Sequence, residues 1–200
     1  MIVLDIEASG PDNGKCGIWQ IGAVNMKTKE EFLEESRIDD EDEINKEALE
    51  LIEKTEKYLR DESKQSQKKL IENFLDWLSN FDERVIGGHN IGWDISFLSN
   101  KSMRYGIREK FSKIMGYRAI DIQTVAQIRF LKENGKFKTK EGKNDMHLSA
   151  VMEMCKIKDP RKRIAGGKII KEGTPHNALE DAKLTAKCFE RLLGELKNGK

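Results

Sequence analysis

Ile2-Val3-Leu4-Asp5-Ile6 opens the chain as an apolar run too short for a helix, and Gly10-Pro11-Asp12-Asn13-Gly14 soon after gives a loop. The run reads as a buried first strand. Residues 18–26 form a second apolar run and 31–38 a third, joined by the polar turn Lys27-Thr28-Lys29, so the chain is expected to begin with an antiparallel meander. From Glu43 onward Ile44, Ala48, Leu51, Ile52 and Leu59 follow helical spacing, and Leu70, Phe74, Leu75, Trp77 and Leu78 do so again. Arg84-Val85-Ile86 reads as a strand, 94–105 as a helix, 118–122 as a strand and 124–131 as a helix. The polar, lysine-rich segment 134–145 reads as a mobile loop. Helices over 148–155 and 177–196 close the chain, with a basic loop around Gly166-Gly167 between them. Three strands followed by alternation predict an α/β fold, a mixed five-stranded central sheet flanked by helices.

A chain of 200 residues suits one domain, and neither a repeat nor a linker divides it, so residues 1–200 are expected to form a single unit. A net charge of +1 does not mark a nucleic-acid binder, but the charge is unevenly spread. Residues 30–56 are acidic. Lys156, Lys158, Arg161, Lys162, Arg163, Lys168 and Lys171 face only Asp159 and Glu172 in their stretch, and such a run is either a solvated face or a seat for phosphates. Cys16, Cys155 and Cys188 lack any paired spacing, which argues against a disulfide framework or structural zinc. No run approaches the roughly 20 apolar residues that span a bilayer, and Asp5 interrupts the N-terminal run, so no membrane contact is expected and the cytoplasm is the default location.

Asp5 and Glu7 are two apart on the first strand, so both side chains point to one face of the sheet. Two carboxylates on a central strand are costly unless a cation neutralises them, and hard oxygen ligands suit Mg²⁺ or Mn²⁺. Alone, D-x-E is common and reads more readily as a plain solvated pair than as a metal site. His89-Asn90-Ile91-Gly92-Trp93-Asp94 adds a third acid after a strand, although Asn90 and Asp94 also fit the start of a helix as capping groups. His176 and Asp181, five residues apart, stand about 140° apart around an ideal helix and do not strictly share a face. Each of these residues, taken singly, reads as ordinary.

Taken in order, D-x-E, H-N-x-x-x-D and H-x-x-x-x-D resemble the DEDDh 3′-to-5′ exonucleases over residues 2–193, with 18–24 resembling the family's second strand and 119–126, around Asp121, its strand and helix between the last two motifs. Ser9 stands where the family usually has threonine, and Trp93 where phenylalanine is common. The resemblance implies a ribonuclease H-like fold. It further implies two divalent ions, Mg²⁺ or Mn²⁺, held by Asp5, Glu7, Asp94 and Asp181, with His176 as a mobile general base. Substrate contacts are expected at Ser9, Gly10, Ile18, Trp19, His89 and Asn90, with Ile18 and Trp19 packing on the terminal base. The implied partner is the 3′ end of single-stranded DNA or RNA, DNA slightly favoured, with release of nucleoside monophosphates.

Overall fold

A computed structural model describes residues 1–197. The central sheet holds β1 (Ile2–Ala8), β2 (Ile18–Asn25), β3 (Glu31–Glu35), β4 (Ile86–Gly88) and β5 (Ala119–Asp121) in the order β3-β2-β1-β4-β5. β1 is central, antiparallel to β2 and parallel to β4. The helices are α1 (Lys46–Ile52), α2 (Glu56–Leu59), α3 (Gln67–Ser79), α4 (Ile91–Arg104), α5 (Arg108–Ile114), α6 (Ile122–Asn134), α7 (Leu148–Met154) and α8 (Ala178–Lys197). Two small hairpins complete the chain: β6 (Thr139–Lys140) with β7 (Lys143–Asn144), and β8 (Arg163–Ala165) with β9 (Lys168–Lys171).

The two-residue period of β1 divides the protein into two cores. Ile2, Leu4, Ile6 and Ala8 pack with residues of α3, α4 and α5, including Phe74, Phe97 and Phe111. Val3 points the other way, into a cluster with α6, α7 and α8 that includes Val151, Cys188 and Phe189. A third, smaller cluster joins Trp19 to Ile38, Ile52 and Leu59 under α1 and α2.

The expected helix from Glu43 to Leu59 is two short ones, because Glu53 adopts a left-handed conformation (φ 52°) that ends α1 and Thr55 caps α2. The third strand stops at Glu35 rather than Ile38. The fourth lies over Ile86–Gly88, three residues that a pair of glycines disguised as a turn. The segment 134–145 contains the β6–β7 hairpin, and the basic loop is the β8–β9 hairpin. α5 was not expected from the sequence.

Candidate active site

On β1, the face that Val3 buries toward α8 carries Asp5 and Glu7 further along the strand. What lies above them is decided by a missing side chain. Gly22 pairs with Asp5 in the β1–β2 register, and a Cβ on it would stand 2.1 Å from the Leu179 nitrogen and 2.3 Å from the Ala178 carbonyl carbon. The first turn of α8 therefore rests directly on β2, and the buried Gln20 side chain accepts from the Ala178 N–H at 2.8 Å. Asp181 lies in that first turn.

Asp94 arrives from the other side. Beyond the last β1–β4 pair, Val3 with Gly87, the Ile6 N–H is free of a strand partner and donates to Asp94 Oδ1 at 3.0 Å. Asn90 occupies the start of α4 in a left-handed conformation, but its side chain makes no capping bond. The capping alternative for Asn90 is thus not realised.

His176 precedes α8 instead of sitting on it, so the angular mismatch with Asp181 disappears: Nδ1 lies 3.4 Å from Asp181 Oδ2. Its Nε2 is 3.0 Å from the Lys162 carbonyl. Ligand atoms of Glu7, His176 and Asp181 all fall within 4.8 Å of one another.

Arg161 is the member of the site that sequence reasoning missed. It is buried, its Nη1 donates to Asp181 Oδ2 at 3.1 Å, and its Nε donates to Asp159 Oδ1 at 3.0 Å. Burial alone would raise the Asp159 carboxyl, but hydrogen bonds from Arg161 and Ser149 outweigh it and hold Asp159 far below the usual range. In sequence Arg161 was one cation among seven, and only the fold brings Asp159 and Asp181 to it.

Burial pushes Asp5 and Glu7 well above ordinary carboxylate values. Asp94, Asp181 and Glu7 add to the shift at Asp5, and Asp181 and Asp94 add to it at Glu7, while Arg161 opposes both. Asp94 is raised by burial to about 8, against the pull of its hydrogen bond from Ile6. One guanidinium does not balance four acids, and Asp181 Oδ1 is buried without a hydrogen-bond partner. An orphaned carboxylate oxygen amid three more carboxylates is a donor set for hard divalent cations.

The expected substrate residues divide. Gly10 lines a cavity of about 280 Å³ beside Glu7, walled by Pro11, Ala48, Leu51 and Trp93 and edged by Glu47. Gly10 is required there, since a Cβ would meet Cys16 Sγ at 2.7 Å. Ser9 is buried: its Oγ donates to the Glu43 carbonyl at 2.6 Å and accepts from the Gly17 N–H at 2.9 Å. It fastens β1 to the segment leading into α1 and offers no hydroxyl to a ligand. Ile18 and Trp19 are 0% and 1% exposed, so neither can stack on a base, and the apolar wall is instead Leu51 and Trp93. The β-bulge opposite Glu7 and Ala8 accompanies Trp19's turn inward under α1. His89 is half-buried with Nε2 3.0 Å from the Met146 carbonyl, and burial lowers its pKa. Asn90 is exposed, and its backbone N–H donates to Asp121.

Comparison with known proteins agrees with this geometry. The chain superposes on exonuclease I with a TM-score of 0.70 at 14% identity, 98% of this chain covering 44% of that one. The E. coli exonuclease I bound to a dT13 oligonucleotide gives the same TM-score and identity over 42% of its length. The nuclease domain of 3′hExo, a DEDDh family member bound to rAMP, gives a TM-score of 0.59 at 16% identity, with 97% of this chain covering 91% of that domain. The chain thus spans less than half the length of the exonuclease I proteins. No curated protein sequence matches it. The exonuclease family model RNase_T matches residues 2–189. With a ribonuclease H-like sheet and a DEDDh-type motif set, the chain belongs to the RNase_T exonuclease family.

Proposed function

We propose that this protein removes nucleoside monophosphates one at a time from the 3′ end of single-stranded nucleic acid, DNA somewhat ahead of RNA, using two divalent ions, Mg²⁺ or Mn²⁺. The observation that carries this reading is the convergence of Asp5, Glu7, Asp94 and Asp181 around an unpartnered carboxylate oxygen, with His176 at its edge. Those four acids would hold the ions, which when bound neutralise the phosphate and make a water more acidic.

The chain's own groups do the rest. A carbonyl oxygen can only accept, so Nε2 of His176 donates to Lys162 and Nδ1 is left to take a proton. The imidazolium so formed faces Asp181, which stabilises it. The cavity beside Glu7 suits a terminal nucleoside, with Leu51 and Trp93 offering apolar surface that tolerates any base. Glu47 at its edge opposes a second phosphate there, which favours a chain end over an internal position. Among the described residues no helix is long and apolar enough to cross a membrane. Three free, buried cysteines support a reducing, cytoplasmic setting.

The test is a 5′-labelled single strand, of DNA and of RNA, with Mg²⁺ or Mn²⁺. Progressive shortening from the 3′ end is expected. Rapid cutting of a circular strand would overturn the end-dependent reading, and activity in excess chelator would overturn the metal requirement. His176→Ala should slow turnover by about 10² to 10⁴ while keeping metal affinity.

A further inference from the structure

The β8–β9 hairpin is anchored at its root to the active site and touches α1 along β8, while β9 stays exposed over most of its length. At its root, Arg161 reaches Asp181, the Lys162 carbonyl meets His176, and Lys162 Nζ pairs with Glu53 at 2.9 Å. Its tip turns through Gly166 and Gly167, both at positive φ, and a Cβ on Gly167 would lie 3.7 Å from Glu47 Oε1, at the edge of the nucleoside cavity. Between root and tip, Ile169 and Ile170 are 49% and 56% exposed. Neighbours on a strand point to opposite faces, so both faces of β9 meet solvent. A two-stranded ribbon has little stability of its own, and beyond the pairing of Ile169 with Ile164 the exposed surfaces of Ile169 and Ile170 add little to the fold.

The charges point the same way. Arg161, Lys162 and Lys171 are consumed by ion pairs with Asp159, Asp181 and Glu53. Among the described residues, Lys156, Lys158, Arg163 and Lys168 make no ion pair. A surface combining unpaired cations with exposed apolar side chains matches one polymer chemistry, a single strand with anionic phosphates and unstacked bases. We infer that the β8–β9 ribbon binds the single strand upstream of its terminal nucleotide, holding it as the end enters the cavity beside Glu7. This rests on the exonuclease reading and extends it, because it assigns a part of the site that acts only on strands longer than the nucleotides being cut.

Length dependence tests it. Parent, Lys168→Glu and Ile170→Ser are compared on a dinucleotide and on an oligothymidine of roughly 12 nucleotides, and binding of the labelled longer strand is measured separately by fluorescence anisotropy in chelator. Both variants lie at exposed positions outside the catalytic groups, and melting curves verify their folding. Each should lower kcat/KM on the longer strand and its affinity by about tenfold, the worth of one stacked base or of a charge reversal at a phosphate contact, with dinucleotide hydrolysis unchanged. Lys168→Glu should also flatten the salt dependence of binding. Equal losses on both substrates, or unaltered affinity for the longer strand, overturn the ribbon's role, as does ribbon-dependent capture of a protein with no effect on the strand. A parent that hydrolyses neither substrate overturns the exonuclease reading instead, and the anisotropy still decides the ribbon.

Discussion

Two clusters of buried acid stand on opposite sides of the β1–β2 meander, and they are finished to different degrees. Asp42 has no exposed side-chain surface, and every approach to it is occupied: Lys101 Nζ at 2.5 Å, Gln67 Nε2 at 2.7 Å, the Asp39 N–H at 3.0 Å and Arg104 Nη1 at 3.3 Å. Asp5, Glu7, Asp94 and Asp181 share a single guanidinium, leave one oxygen unpartnered and hold three of their number toward the protonated form. A buried charge that serves the fold is fully partnered, because any shortfall costs stability. The second cluster keeps its shortfall, which marks it as a place completed by something that arrives.

The sharpest way to break this comparison is to neutralise one charge in each, an acid in the open cluster and a cation in the closed one. Asp5→Asn should cost about 10⁴-fold or more in turnover, since several kcal/mol of charge stabilisation depend on the bound ions. In chelator, though, it should be more stable than the parent by about 1 kcal/mol and melt higher, because a buried carboxyl that must either hold a proton or repel its neighbours has become a neutral amide. Saturating Mg²⁺ should reverse that ranking. A variant less stable than the parent in chelator would show Asp5 serving the fold. Lys101→Met acts on the other cluster, leaving the buried Asp42 with Arg104 as its remaining cation, and should destabilise by about 3 kcal/mol in urea melts with or without metal. A loss that shrank on adding Mg²⁺ would erase the distinction between the clusters.

A smaller effect comes from pH. The folded carboxyls of Asp5, Glu7 and Asp94 all hold protons more tightly than the unfolded chain, and for Asp94, raised from 3.8 to about 8, the native state carries the extra proton between those two values. Stability in chelator should therefore decline as pH rises through that window, the reverse of the usual salt-bridged carboxylate. Saturating Mg²⁺ should remove the decline, and thermal melts across the window are the measurement. A flat profile in chelator would mean that the acids are better hydrated than their burial implies.

The sheet could be read from the chain because it depends on local pattern, whereas the four acids, each ordinary alone, stood out only as an ordered set that resembles a family. The alternation in Ile2–Ala8 fixes which side chains share a face, and the spacing of Asp94 and of Asp181 from their histidines marks the ends of other elements. The walls of the site could not be read this way. Trp19 has the size and aromaticity of a stacking platform, and nothing near it announces the bulge and the overlying α1 and α2 that bury it. Leu51 shares the helical spacing of true core residues and differs only in what faces it. Ser9 carries the hydroxyl expected of a ligand contact but spends it on Glu43 and Gly17, residues whose closeness only the folded chain reveals.

The seating of α8 on Gly22 has a consequence for how the molecule assembles. β1, β2 and β3 are consecutive in the chain and adjacent in the sheet, so local pairing alone brings Asp5 and Glu7 to one face without the other members of their cluster. Asp181 comes from the far end of the chain and joins them only when the first turn of α8 lands on that glycine. Closing so long a loop costs little more entropy than closing a shorter one, so what resists this final docking is charge. The helix that completes the acidic pocket is thus the latch of the fold. Divalent ions bound there, as proposed above, would also relieve the repulsion that opposes this latch.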